Sequence, residues 1–157
     1  ILYIRIMQQQ DLRQAAKVHE LAFSRQRHSH SWLESSLNAH PRLLCYVAEV
    51  DKAVVAYIIW AQKSGFRPES VLELDQIAVH PDFHKQGIGT ALITESLPLV
   101  KTQLTKQNST LKHIIVSTRT DNQAQKLYKK TIGAEVETVI ENLYSADEVL
   151  MIARNIK

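Results

Sequence analysis

The sequence predicts a mixed α/β fold in one domain over residues 1–157. Its expected form is a single sheet of six to seven strands flanked by about four helices, in the order β-α-α-β-β-β-α-β-α-β-β. Short runs rich in β-branched and aromatic residues alternate along the chain with segments whose apolar residues recur at three- and four-residue spacing. No repeat, linker or low-complexity stretch separates them. With 45% apolar residues among 157, the chain can bury a full core without disulfides or a structural metal.

Leu2-Tyr3-Ile4-Arg5-Ile6 suits a short strand. Asp11-Leu12-Arg13-Gln14 reads as a capping box, and Leu12, Ala15, Ala16, His19, Ala22 and Phe23 then share one helix face that ends near Ser24. Residues 25–31 are polar and read as a loop, after which Trp32, Leu33 and Leu37 mark a second short helix closing before Pro41. Residues 43–50 and 53–61 form a hairpin across Asp51-Lys52, a turn without the usual glycine. The stretch 64–69, with Gly65 and Pro68, breaks the pattern before a strand over 71–79.

A long helix follows from about 86 to 107, with Ile88, Leu92 and Leu99 among its apolar positions. Pro98 removes an intrahelical hydrogen bond and clashes with the preceding turn, so a kink or an early stop is expected there. Residues 111–117 form another strand, Asp121 or Asn122 caps a helix through Lys130, and 134–140 with 149–156 supply two closing strands. Those closing strands can pair across a homodimer or complete the sheet within one chain.

Cys45, the single cysteine, lies in an apolar run, which suits an inert core thiol and a reducing compartment. The longest uninterrupted apolar run, 53–61, is far short of the ~20 residues that a membrane-spanning helix needs. The first eleven residues show no secretory pattern, so a cytoplasmic protein that does not engage a membrane is expected. Nineteen Lys and Arg against sixteen Asp and Glu give a net charge of +3, with the lysines dispersed. Nucleic acid is therefore not an expected partner, whereas a mild positive potential suits a polyphosphate anion. His28 and His30 form a His-x-His pair with no cysteine or carboxylate at ligand spacing, so no metal is expected.

The most informative stretch is Val79-His80-Pro81-Asp82-Phe83-His84-Lys85-Gln86-Gly87-Ile88-Gly89-Thr90, a strand end that passes through a turn into two glycines opening a helix. Glycine allows close backbone approach to an anion, and a helix start offers unpaired N–H groups and the positive end of its dipole. A Walker loop requires a lysine directly after its second glycine, and none follows here. A dinucleotide fingerprint requires a small third residue where Leu92 stands.

The turn resembles the acetyl-CoA turn of the GCN5-related N-acetyltransferase (GNAT) superfamily, Gln/Arg-x-x-Gly-x-Gly/Ala after a strand ending in Val-x-Pro. The matching residues are Ile77-Ala78-Val79-His80-Pro81 and His84-Lys85-Gln86-Gly87-Ile88-Gly89. A second match is Asn122-Gln123-Ala124-Gln125-Lys126-Leu127-Tyr128 followed by Gly133-Ala134. His84 stands where the family has Arg or Gln, and Ala134 where it has an aromatic. The resemblance implies a mostly antiparallel GNAT-type sheet in a single N-acetyltransferase domain. It also implies acetyl-CoA as cosubstrate without a metal, and transfer of its acetyl group to an amine acceptor by direct attack in a ternary complex. The acceptor is a protein or peptide amino group, or a small-molecule amine.

By the same resemblance, Ile77, Ala78 and Val79 pair with the pantetheine arm, and the amides of Lys85, Gln86, Gly87, Ile88, Gly89 and Thr90 hold the pyrophosphate. His84, Asn122 and Tyr128 complete the cofactor-binding set. An amine with a reference pKa near ~10.4 needs a base or a desolvated site. Glu73 matches the family's glutamate base, and Asp75, on the same strand face, is the second candidate. The Val79 N–H is the implied oxyanion donor and Tyr128 the acid to the leaving thiolate, although Tyr128 also shares a helix face with Ala124, Leu127 and Thr131 as a core residue would. His19, Phe23 and Trp32 are core residues or line the acceptor pocket. A non-catalytic acyl-CoA-binding sensor or partner-binding module is the competing class.

Overall fold

The computed structural model describes residues 1–154 and 156. The chain runs β1 (Leu2–Ile6), α1 (Leu12–Ala22), α2 (Ser29–Asn38), β2 (Leu43–Val50), β3 (Ala53–Gln62), β4 (Glu69–Val79), α3 (Ile88–Lys106), β5 (Thr110–Arg119), α4 (Ala124–Ile132), β6 (Glu135–Ile140) and β7 (Glu148–Arg154), the expected order. The strands adjoin as β1-β2-β3-β4-β5-β7-β6. β4 and β5 are parallel, while β1–β2, β2–β3, β5–β7 and β6–β7 are antiparallel. The chain divides into two units, Ile1–Ala61 with Asp75–Val100, and Gln62–Leu74 with Lys101–Lys157. Among the described residues no helix is long and apolar enough to cross a membrane.

In the first unit, Asp51 (φ 49°) and Lys52 (φ 67°) are both left-handed, the conformation that lets a two-residue turn match the twist of the β2–β3 hairpin. One sheet face meets α1 and α2 through a core that includes Leu12, Ala15, Leu33, Val47, Tyr57, Ile59 and Ala78. Each Leu- or Ile-sized side chain buried there contributes about 1.5–3 kcal/mol. The buried Trp60 indole of β3 donates to Ser96 Oγ of α3 at 2.9 Å.

The capping box expected at Asp11 is displaced. Asp11 does not cap α1; its carboxylate accepts from the Gln8 N–H (2.7 Å) and from both terminal nitrogens of Arg5 (2.7 and 2.9 Å), tying the 3₁₀ turn Gln9–Asp11 to β1. Arg5 and the Gln8 amide upstream, and not the amides of α1, take up this carboxylate. Gln14, the expected fourth member of the box, accepts instead from the Val54 N–H at 2.8 Å.

Of the kink or early stop expected at Pro98, the stop does not occur, and α3 continues to Lys106. Pro98 lies on the exposed side, where the carbonyl it leaves without a helix partner can be hydrated. Buried Leu92, Ile93, Ser96 and Val100 anchor the part of the helix in the first unit.

In the second unit, Glu69–Glu73 of β4 pair with β5, and the ladder ends at Glu73 opposite Ile115. β7 pairs with β5 along its length and with β6 at the sheet edge, with an irregularity in β6 between Val136 and Thr138. The strand expected to reach Ile156 is seen to Arg154, and Asn155 lies outside the described residues. Gly133, at φ 67°, ends α4 with the Gly133 N–H donating to Lys129 O and the Ala134 N–H to Tyr128 O.

Candidate active site

β4 carries the first unit's site residues past the end of its ladder with β5. Asp75, Gln76, Ile77 and Val79 are half-buried and Ala78 is buried. The peptide that follows Val79 is held from two sides. The His80 N–H donates to Val55 O of β3 at 2.8 Å, and His84 Nε2 donates to Val79 O at 3.0 Å. Both the neutral Nε2–H tautomer and the imidazolium carry that hydrogen, so the bond does not depend on protonation. His84 thus braces the strand end, and only Nδ1 of its ring is left to face a phosphate.

The turn then reverses through Lys85 (φ 61°) and Gly87 (φ 76°) into α3. The first bond of that helix runs from the Ala91 N–H to Gly87 O, so the amides of Ile88, Gly89 and Thr90 have no acceptor within the helix. His84, Lys85, Gln86 and Gly87 are exposed. A Cβ built on Gly87 meets nothing within 4 Å, so the space beside the turn is open. Free amides, a helix dipole and an open approach fit a pyrophosphate.

Glu73, Asn122 and Tyr128 belong to the second unit. Glu73 Oε1 lies 3.1 Å from Lys63 Nζ, so its carboxylate is engaged in an ion pair. The N-cap of α4 is Gln123 and neither Asp121 nor Asn122; Asn122 Oδ1 accepts from the Ala124 N–H at 2.8 Å in a local turn ahead of it, which leaves its NH₂ group for other partners. Tyr128 is 5% exposed, and burial pushes its phenol up to about 12. Its hydroxyl has no hydrogen-bond partner among the described residues, yet no fully buried side-chain polar atom among them lacks one. The ring is therefore packed while its oxygen reaches an accessible surface, unlike a core tyrosine with a protein partner.

Cys45 is buried, and burial together with the Asp75 charge pushes its thiol up to about 12, so it is no nucleophile. Burial, with the charges of Asp75 and Cys45, raises the buried Tyr57 phenol as well. Among the described residues no group of three or more His, Cys, Asp or Glu could hold a metal. His19 is fully buried and bonded at both ring nitrogens, whereas Trp32 is 43% exposed. Sequence reasoning passed over Gln26 and Gln76, which bond to each other at 3.1 Å. The available signal was alternation, since Gln76 is a polar residue in phase with the buried Leu74 and Ala78.

The pattern of the acetyltransferase (GNAT) family matches residues 9–134. A search of the curated proteins finds no match. Among solved structures, the ribosomal-protein-S18-alanine N-acetyltransferase of Escherichia coli is 21% identical with a TM-score of 0.75, over 100% of this chain and 96% of its own. Arabidopsis thaliana NAA60, in complex with a bisubstrate analogue, is 15% identical with a TM-score of 0.78 over 97% of each chain. An aminoglycoside 6'-acetyltransferase type Ii is 16% identical with a TM-score of 0.75 over 99% of this chain and 98% of its own. These likenesses show the fold. The match takes in both the glycine turn after β4 and the α4 segment through Tyr128, and the chain belongs to the acetyltransferase (GNAT) family.

Proposed function

We propose that this acetyltransferase moves the acetyl group of acetyl-CoA to a primary amine by direct attack in a ternary complex. The turn after β4 carries the reading, because three helix-start amides without an acceptor in the helix follow a left-handed glycine beside which a Cβ would meet nothing within 4 Å. In this reading the amides of 85–90 bind the pyrophosphate and the main chain of 77–79 binds the pantetheine arm. The amine lone pair forms the new C–N bond, the developing oxyanion is met by the Val79 N–H, and the C–S electron pair leaves on sulfur.

Tyr128 donates its O–H to that sulfur as a hydrogen bond. Full proton transfer from a phenol at about 12 to a thiolate near ~8.5 is uphill by about 5 kcal/mol, so the nitrogen that has just become cationic is the better source of the proton. Glu73, held at 3.1 Å from Lys63 Nζ, and Asp75, acting through water, are the two candidate bases, and protonating Glu73 would cost it that ion pair.

Thiol release from acetyl-CoA over a panel of peptides and amines tests the proposal. Turnover that falls in Tyr128→Phe supports it. A chain that binds the cofactor tightly but never turns over, with Tyr128→Phe and Glu73→Gln indistinguishable from wild type, is the acyl-CoA sensor instead.

A further inference from the structure

We infer that Gln26 and Gln76 form a donor-only subsite that selects an amine acceptor carrying carbonyl or carboxylate oxygens over one, such as a polyamine, that offers none. The inference rests on the acyl-transfer reading above and concerns only which amine is taken.

The directions of the bonds follow from one group. The Trp32 indole nitrogen can only donate, and it lies 3.0 Å from Gln76 Oε1, which fixes the Gln76 amide with its oxygen toward Trp32. The Tyr57 hydroxyl, 2.8 Å from the same oxygen, must then donate as well. Gln76 Nε2 faces Gln26 Oε1 at 3.1 Å, which in turn fixes the Gln26 amide. His19 Nε2 lies 2.8 Å from that oxygen and so carries the hydrogen. Ser29 Oγ, 2.7 Å from His19 Nδ1, closes the chain.

Both glutamine oxygens accept two bonds each and are used up. What remains is one N–H on Gln76 and two on Gln26, with no acceptor among the described residues. The anchors are rigid, since His19 and Tyr57 are fully buried and Ser29 is buried, while Gln26 is exposed and Gln76 half-buried. A rigid cluster that can only donate binds oxygen acceptors and repels ammonium groups.

Its position suits an acceptor. Gln76 lies three residues before Val79 on β4, a separation of about 10 Å at the strand rise. A peptide of three residues, with a carbonyl every ~3.5 Å, covers that span from an amine near Val79.

The experiment measures thiol release from acetyl-CoA with trialanine amide, free alanine and spermidine, in wild type, Gln26→Glu and Gln76→Glu. Wild type is expected to prefer an oxygen-bearing acceptor to spermidine. Preference for the tripeptide assigns peptide carbonyls as the ligand, and preference for alanine assigns the carboxylate. Gln26→Glu keeps the oxygen that serves His19 and Gln76 and turns the exposed donor into an anion. It should lower kcat/KM for the oxygen-bearing acceptor at least about fivefold while raising it for spermidine. Gln76→Glu should shift the ratio the same way, with thermal melting reporting whether it folds. Spermidine used as well as the peptide by wild type, or a ratio that Gln26→Glu leaves unmoved, overturns the subsite alone. No thiol release with any amine overturns the acyl-transfer reading and the subsite with it.

Discussion

Replacing Gly87 by alanine separates backbone strain from anion binding, because Gly133 supplies a matched control. Both glycines are left-handed, at φ +76° and +67°, and a Cβ on either meets nothing within 4 Å. Steric clash therefore contributes nothing, and the cost is that of an L-residue in the left-handed region, about 1–2 kcal/mol. The lower conformational entropy of the unfolded alanine chain offsets roughly 0.4–1 kcal/mol of it. Each variant should lose about 1 kcal/mol, a fall in Tm of about 2–4 °C for a chain of this size. Binding should separate them. The added methyl of Gly87→Ala projects into the space where the pyrophosphate is proposed to lie, whereas Gly133 ends α4 through main-chain bonds to Lys129 and Tyr128. Calorimetric titration with CoA should show at least about a tenfold loss of affinity, near 1.4 kcal/mol, in Gly87→Ala and none in Gly133→Ala. Equal losses in both variants, or wild-type affinity in Gly87→Ala, would place the pyrophosphate away from this turn.

Tyr128→Phe should lower kcat with little change in CoA affinity. Because the phenol is raised to about 12, it keeps its proton throughout the working range, and the pH–rate profile should show no tyrosine-linked decline between pH 7 and pH 10 on the order of unit pH steps. His84→Ala removes the bond to Val79 O, so kcat should fall alike with acetyl-CoA and with an acetyl-pantetheine thioester lacking the pyrophosphate; a loss seen only with acetyl-CoA would show a phosphate ligand instead. Asp11→Asn should destabilise by roughly 2 kcal/mol, less than a fully buried pair because Arg5 retains Glu49 and is partly exposed. Burial raises the Asp11 carboxyl, but the Arg5 and Gln8 hydrogen bonds and the Arg5 charge bring it below its ordinary value. Its contribution is therefore present above the unfolded carboxylate pKa near ~3.9 and is lost as pH falls through the folded value, so the melting difference should shrink in acid.

The order of elements was legible because strand and helix periodicities differ and neither needs long-range information. The hairpin across Asp51-Lys52 was found from its flanking strands even though its left-handed turn has no glycine. What sequence could not supply were partners distant in the chain. Asp11 looked like a cap because its local neighbours permit one, while the deciding group, Arg5, reaches it through the β1 geometry. Pro98 looked like a stop because its local cost is real, yet buried residues elsewhere on α3 outweigh it. The motif position of His84 points to a cofactor contact, while its observed bond is to Val79 O. Gln76 carries no motif signal in the sequence, and its place emerges only from the bonds that Trp32 and Tyr57 make to it and that lead on through Gln26 to His19.

The central claim is acyl transfer from acetyl-CoA to an amine. Its most direct test is to quantify free CoA and acetylated amine in one reaction, with the peptide and polyamine panel as acceptors. The two products should appear in equal amounts, and both should fall together in Tyr128→Phe. CoA binding without acetylated product, or thiol release that does not depend on any amine, would contradict it.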